Sequence, residues 1–502
     1  MGSPNRLRAS IVDLTFITWA VVVPLALQSR LLNADGDFAR HVRMGEFVLR
    51  GGPWQIDDLA FTRTGPFLTT EWLSQVAFAL AHAAGGIAAV VVLCGLVVGL
   101  AYALVAAHLR KSGVEGFLAY TATTVAAVLG SPHWLARPHV FTFLGLAVLL
   151  NLARRPRRWW VYALFFGVWA NFHAGFVVGL ALLAGVSAGE WLESRFEADE
   201  SLRSARIRQA RALAVGLAAS GLATLVNPLG PGLWVRVSGV LSNGFILSQT
   251  AEFQSLDFHS GYGRVALLVF LSIVALLALR PRRVALPNLL VLLIMLAGAL
   301  ISRRNFPLFA LVVIPMLATE FDGDWRRLHV PGLERIRGVF EAGERVAVPG
   351  RWAPGFAGLL LLLGLNGGSV AGTRLIVADF DARRFPVASV KAARDAGLQG
   401  RIFSHETWGG YMLYAWPEQK IFMDGMTDFF GVDLMQSYLR IMRLDTGWEA
   451  ELDRYGVDMV LIQPHTRLAG VLRNRRDWET WYHDETAILL RRRAEDGAVA
   501  GR

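Results

Sequence analysis

"NADGDFARHVRMGEF", Asn33 to Phe47, follows at once on an apolar run over residues 11–29. It places two aspartates, a histidine and two arginines where the chain leaves its first greasy segment. Outward from it the rest is no less apolar: of 502 residues 54% are hydrophobic and 18% charged, with a mean hydropathy of +0.41. Soluble domains carry roughly 25% charged residues, so composition alone makes this an integral membrane protein.

Further apolar runs stand at about 86–107, 115–131, 139–153, 159–171, 174–189, 210–226, 264–279, 286–301, 305–320 and 355–371. With the first they give about 11 candidate transmembrane helices, several shorter than the roughly 20 residues of a full crossing. Basic residues alternate between the gaps. One set holds Arg6 and Arg8, "HLRK", "RRPRR", "ESRFEADESLRSARIRQAR", "RPRR" and the arginine-rich 326–351 segment. The other holds "SPHWLARPH", "NFHAG" and "NPLGPGLW", poor in arginine, with "SRRN" as the exception. The positive-inside rule then puts the N-terminus in the cytoplasm and the C-terminal region outside. The first outer loop, 30–70, carries five arginines against this pattern, but long loops weigh less in the rule. Residues 1–29 lack a small-residue cleavage site and read as an uncleaved span.

Two function classes fall away. The net charge of +10 sits in short clusters between apolar runs, which argues against a nucleic-acid partner. The single Cys94, inside "AAVVVLCGLVVGL", permits no intramolecular disulfide and no cysteine-based metal cluster, and reads as a buried thiol. With the topology above, histidines, arginines and acids converge on the outer interface. A transporter more often carries its ionisable residues near the midplane, so this arrangement favours a reaction on a lipid-borne or exported substrate.

The segment "DGDFARHVRMGEFVLRGGPWQIDDLAFTRTGPFLTTEWLSQ" resembles the first outer loop of bacterial GT-C superfamily membrane glycosyltransferases. The nearest likeness is to the protein-mannosyltransferase and aminoarabinose-transferase group. Asp35, Asp37, His41, Gly45, Asp57, Thr62, Glu71 and Trp72 fill the places of that pattern. "ARPHVF", "WANFHAGF" and "NPLG" look like further family segments. "WGGYMLYAWPEQKIFMDGMTDFFG" resembles an outer domain of many members, with Asp424-Gly425-Met426 where Asp-Gly-Arg is usual. The resemblance implies an α-helical polytopic GT-C-like fold over residues 1–374, with a small outer-face α/β domain over 375–502. It also implies inverting transfer from a polyprenyl-phosphate sugar to an envelope glycan, lipid or protein, in the bacterial cytoplasmic (inner) membrane.

The residue types suit that chemistry independently. An acceptor hydroxyl needs a base, and a positioned carboxylate can serve. A departing polyprenyl phosphate gathers negative charge, which arginine meets with a planar set of donors. Asp37 is the expected base, directly before an amphipathic helix, with Asp35 its alternate. Two carboxylates two residues apart beside His41 are expected to raise one another's pKa. The Asp-x-Asp spacing could also hold Mg²⁺ or Mn²⁺, yet no cofactor is expected, since transferases of single lipid-linked sugars commonly work without metal. A solvated acid pair at a membrane boundary is the plain alternative.

Arg303 and Arg304 form a twin-arginine outer loop that the positive-inside rule disfavours and that phosphate binding would justify, with headgroup snorkelling as its alternative. Arg137, beside Pro138, is a further phosphate candidate, since an arginine facing lipid is costly. Asp57, His139, His173 and Glu71 are the expected substrate contacts. For Asp57 the alternative is a helix cap or turn, with Asp58 as a register alternate, and for His173 a structural role. Glu71 and Trp72 open "TEWLSQVAFALAHAAGG", expected along the interface, with Trp72 as an anchor.

In the tail, "RIFSHETWGGYMLYAW", "KIFMDG", "VDMVLI" and "TAILLRRR" read as strands and "GVDLMQSYLRIMRLDTGWEAELDRYG" as helix. "WGGY" reads either as an acceptor-binding loop or as a tight turn packing Trp408. Two rival readings of the whole chain are a transporter or flippase of a lipid-linked sugar and a non-catalytic envelope assembly factor, the latter supported by the Met426 departure.

Overall fold

The computed structural model describes residues 8–34, 36–51, 59–63, 69–154, 157–279 and 283–493. Each of the eleven apolar runs forms a helix. Among the described residues four helices are long and apolar enough to cross a membrane: Trp72–Lys111, Phe176–Glu193, Gly261–Ala278 and Arg303–Arg326. Ile11–Ala26, Val140–Ala153, Trp159–Trp169, Leu286–Ile301 and Ala353–Leu365 are apolar but shorter. The chain is a multi-pass membrane protein. Apolar side chains on Gly261–Ala278, such as Leu268, Leu271 and Val274, stay exposed, a face suited to lipid rather than water.

Acids cap these helices where a lipid setting leaves no water to do so. Ser10 Oγ accepts from the Asp13 N–H at 3.1 Å, and Asp13 Oδ2 accepts from the Ser10 N–H at 3.3 Å, closing a capping box on Ile11–Ala26. The other Asp13 oxygen accepts from the Trp352 and Ala353 N–H groups, at 2.9 and 3.1 Å, and so caps Ala353–Leu365 as well. Glu193 does the same for Leu286–Ile301, accepting from the Leu286 N–H at 2.8 Å. In the core, Trp134 packs edge-on against Trp19 and tilted against Tyr102, with centroids 5.3 and 5.6 Å away.

The C-terminal part carries a short hairpin, β1 (Ser369–Val370) and β2 (Thr373–Arg374), and then a four-stranded sheet. Its strands are β3 (Ile402–Ser404), β4 (Met459–Ile462), β5 (Trp478–His483) and β6 (Ile488–Arg492), in the order β3-β4-β6-β5. β3 and β4 are parallel and the other pairs antiparallel. Sequence reading placed β3, β4 and β6 and missed β5. It was wrong over "HETWGGYMLYAW": Glu406–Ala415 is a helix, capped where His405 Nδ1 accepts from the Thr407 N–H. It also joined two helices, Val432–Arg443 and Trp448–Arg454, which are separated by left-handed backbone at Leu444 and Gly447.

The first loop is stitched into this domain. The Phe61 N–H donates to the Ile421 carbonyl at 3.2 Å and the Ile421 N–H to the Leu59 carbonyl at 3.1 Å. "KIFMDG" therefore makes bridges at Ile421, to Ala60 and to Ile402, instead of a full strand. The Glu406–Ala415 helix also lies against the loop. A Cβ on Gly410 would stand 2.1 Å from the Gly36 carbonyl oxygen, so only glycine permits this approach.

Candidate active site

Asp37 opens the helix Asp37–Gly51, and Arg40 lies one turn on, over the same face. From these two residues a ladder of alternating charge runs through four segments. Asp424 Oδ1 meets Arg40 Nη1 at 3.1 Å, and Arg40 Nη2 meets Asp37 Oδ1 at 3.2 Å. Asp37 Oδ2 meets Arg137 Nη2 at 3.0 Å, and Arg137 Nη1 meets Glu252 Oε1 at 3.1 Å. The first loop, the 131–139 loop, the Ala251–Phe253 turn and the C-terminal domain thus converge on one cluster. Ser302 Oγ donates to the Glu252 carbonyl at 2.8 Å and ties the turn to the twin-arginine loop.

The expected rise in the Asp37 pKa does not occur. Burial pushes its carboxyl up, but Arg40, Arg137 and, less strongly, His41 outweigh this and bring it from 3.8 down to about 2. Asp424, buried with Arg40 as its ion-pair partner, goes the other way: burial and the Asp37 charge outweigh Arg40 and leave it raised. Glu406, half-buried in the first turn of the "WGGY" helix, is likewise raised, by burial and by the Asp37 and Asp424 charges.

Behind the ladder lies a histidine group. The Gly175 N–H donates to His173 Nδ1 at 3.1 Å, so that nitrogen carries a lone pair; the proton sits on Nε2, which faces Glu71 Oε1 at 3.5 Å. Thr142 Oγ1 lies 2.7 Å from the same Nδ1. His139 Nε2 donates to the His133 carbonyl at 2.6 Å, and the two rings stack with centroids 4.2 Å apart. Burial pushes His133 down to about 4 and holds His139 and His173 well below 6.5, so all three are neutral. His41, buried 3.3 Å from Gln75 Nε2, is also held low by burial and Arg40.

The twin arginines part company. Arg304 lays its guanidinium over Phe253, 4.8 Å from the ring centroid, within charge range of Glu252, Arg137 and Glu71. Among the described residues it makes no ion pair or hydrogen bond. Arg303 is exposed, its backbone N–H bonded to the Gln254 carbonyl at 2.9 Å, and its charge reaches His133 and Tyr262.

Of the expected residues, Asp37, His41, Arg137, His139, His173, Glu71, Arg303 and Arg304 thus gather around one cluster. Asp35 and Asp57 lie outside the described residues. Trp72, expected as an interfacial anchor, donates its indole N–H to Asn171 Oδ1 at 2.6 Å, which pins the "NFH" loop to the helix it opens. "WGGY" follows the packing alternative: Trp408 is buried and donates to the Arg384 carbonyl at 2.8 Å. Sequence reasoning missed Arg40, Glu252, Asp424 and Glu406 as members. Arg40, Asp424 and Glu406 stood inside quoted motifs, and only charge partners distant in sequence distinguish them. The Met426 departure touches little here, because that position offers its backbone N–H to Asp424 Oδ1, at 2.9 Å. Among the described residues no three His, Cys, Asp or Glu side chains converge in metal-ligand fashion.

No family model and no curated protein matches the chain. Solved structures do. ArnT from Cupriavidus metallidurans in the apo state superposes with a TM-score of 0.50 at 14% identity, over 96% of this chain and 96% of its own. The archaeal oligosaccharyltransferase AglB from Archaeoglobus fulgidus, in complex with an inhibitory peptide and a dolichol-phosphate, gives 0.50 at 13% identity, over 90% of this chain and 69% of its own. ArnT bound to undecaprenyl phosphate gives 0.48 at 16% identity, over 95% of this chain and 97% of its own. The fold is therefore like that of GT-C glycosyltransferases, as the first-loop resemblance implied.

Proposed function

We propose that this protein is an inverting glycosyltransferase that moves a sugar from a polyprenyl-phosphate donor to an envelope glycan, lipid or protein. The reading includes about 11 spans, a cytoplasmic N-terminus, and a C-terminal domain at the outer face of a bacterial inner membrane. One observation carries it: Arg304 stands beside the Asp37–Arg137–Glu252 ladder without a carboxylate of its own among the described residues. A lipid phosphate supplies the missing anion, and the dolichol-phosphate in the archaeal neighbour shows that a similar fold accommodates one.

In this reading the donor changes the base. Without ligand, Asp37 is clamped by Arg40 and Arg137 and is a weak proton acceptor. A phosphate seated by Arg304 and Arg303 draws Arg137 towards itself, and losing that partner raises the Asp37 pKa towards working pH. Asp37 then takes the acceptor's hydroxyl proton as the oxygen attacks the anomeric carbon. The bond from that carbon to the phosphate oxygen breaks, and the electron pair leaves with the polyprenyl phosphate, which the arginines stabilise. Glu71 and its proton-donating neighbour His173 line the acceptor side, with His139 behind them. No step is routed through a metal.

A second reading has one observation in its favour. A carboxylate locked between two guanidiniums also suits a non-catalytic envelope assembly factor that keeps the fold and uses the ladder as a strut. Purified protein supplied with a polyprenyl-phosphate sugar and envelope acceptors separates the two. The transferase reading expects release of polyprenyl phosphate that depends on Asp37. No release from any donor, with envelope glycans unchanged on deletion, would leave the strut.

A further inference from the structure

At the other end of the bundle lies a cleft of about 400 Å³ that no step above uses. One helix that begins at the candidate active site ends there: Val140–Ala153 starts beside His139 and finishes before Arg154. The helical segment that finishes at Lys111 is separated from the one that starts beside Glu71 by a kink at Gly85 and Gly86. The cleft is lined by Lys111, Arg154 and Arg157 over an apolar floor that includes Leu104, Val148 and Leu152. Arg154 Nε donates to Ser112 Oγ at 3.2 Å, and its other donors remain available. Among the described residues none of the three cations has a carboxylate partner, whereas nearby Arg110 is paired with Glu341 and Glu344.

Two further features bear on what fills it. Trp159 and Trp160, just beyond Arg157, are exposed by about half, at 55% and 49%, the placement of an aromatic belt at headgroup level. Val140–Ala153 has 14 residues, so it spans about 21 Å at ~1.5 Å per residue, short of a hydrocarbon core of ~30 Å. At the end of so short a span, cations either snorkel outward or draw a phosphate inward. Basic pockets between membrane helices are places where anionic headgroups bind. The cleft also offers an acceptor. Asn151 spends both amide hydrogens on the Leu104 and Ala147 carbonyls, at 3.0 and 2.9 Å, leaving Oδ1 for a donor from outside.

We propose that this cleft binds the headgroup of an anionic glycerophospholipid bearing hydroxyls, of the phosphatidylglycerol kind. The phosphate lies among Lys111, Arg154 and Arg157, a headgroup hydroxyl donates to Asn151 Oδ1, and the glycerol and upper acyl chain cover Leu104, Val148 and Leu152. The site is independent of the transferase reading. It borders the far end of the helix whose near end carries His139.

Native mass spectrometry and lipid titration of the full chain in nanodiscs test this, with phosphatidylglycerol, phosphatidylcholine and inorganic phosphate as probes. The wild type should retain phosphatidylglycerol through delipidation and should not retain phosphatidylcholine. Lys111→Gln with Arg154→Gln and Arg157→Gln should weaken phosphatidylglycerol binding on the order of 100-fold. Arg154→Lys with Arg157→Lys should hold it within a few-fold. Arg203→Gln with Arg208→Gln and Arg211→Gln, which remove equal charge from an exposed helix face, should leave it unchanged. Should the cleft triple variant not fold, Arg157→Gln alone, on an exposed side chain, should weaken binding about fivefold. Equal retention of phosphatidylglycerol by the cleft variants would overturn the proposal. So would equal retention of phosphatidylcholine, or displacement of the lipid by millimolar inorganic phosphate, which would make the cleft a simple anion site.

Discussion

Arg40 separates two carboxylates that the fold treats in opposite ways. On the first-loop side Asp37 touches two guanidiniums and is held at about 2; on the C-terminal-domain side Asp424 touches one and is raised. Asp424 is the deeper of the two, its side chain 2% exposed against 14% for Asp37, and the two also differ in how many arginines they meet. The second arginine, Arg137, comes from the 131–139 loop and bridges Asp37 to Glu252. Burial pushes both acids up, and the number of arginines that arrive decides how far this is offset, which makes Asp37 the acid a ligand can retune by taking one arginine away.

The largest effect expected from breaking this comparison is on turnover. Asp37→Asn keeps size and removes the proton acceptor; general-base catalysis typically contributes about 10²–10⁴-fold, so turnover should fall by that order with donor binding intact. The equivalent Asp35→Asn change should cost less if that residue only orients its neighbour. Loss with Asp35→Asn and near-normal rates with Asp37→Asn would reverse the roles, and normal rates in both would favour the strut.

Next comes the donor. Arg303→Gln with Arg304→Gln removes the cations that would seat the phosphate. A charge-assisted hydrogen bond is worth about 1.5–3 kcal/mol, so donor affinity should drop tenfold or more. Unchanged donor affinity in the folded double variant would take both arginines out of the site. Arg137→Gln sharpens the comparison more narrowly. It should raise the Asp37 pKa in the ligand-free protein and move the acid limb of kcat/KM against pH upward; an unmoved limb would mean that Arg137 does not govern the base.

Much of this was legible in sequence, and the reason is local. An apolar run long enough to matter declares itself, and each of the eleven became a helix. The cluster members that carry chemistry sat in short polar motifs between those runs. What could not be read is what joins them: Arg40 and Asp424 lie 384 residues apart. Nothing in "AEF" marks Glu252 as the end of a ladder. The Glu406–Ala415 helix was read as strand because aromatic and small residues dominate it; Gly410 serves the approach to Gly36 and Gly409 the approach to Met423, tertiary demands that override local preference. β5, "WETWYH", mixes charge with aromatics and makes sense only as the edge partner of β6.

The smallest expected effect tests the comparison most directly, through stability against pH. The folded pKa of Asp37 lies below its unfolded value near 3.8, so its pairing stabilises the protein above that value. That contribution is lost as pH falls from 3.8 through about 2, and the shift amounts to about 2 kcal/mol. Asp424 has the opposite sign. Its folded pKa lies above 3.8, so its contribution is fully present below that value and is lost as pH rises through the raised pKa. Unfolding of the detergent-solubilised protein between pH 2.5 and 7 should therefore give opposite slopes for two variants measured against wild type. Asp37→Asn should lose ground as pH rises through the low end of that range, where wild-type Asp37 ionises against its two arginines. Asp424→Asn should gain ground as pH rises above 4, because wild type is then ionising a buried carboxylate that the variant lacks. Parallel slopes would mean that the two acids titrate as one unit through Arg40, and the loop-by-loop account of their charge would give way to a shared proton.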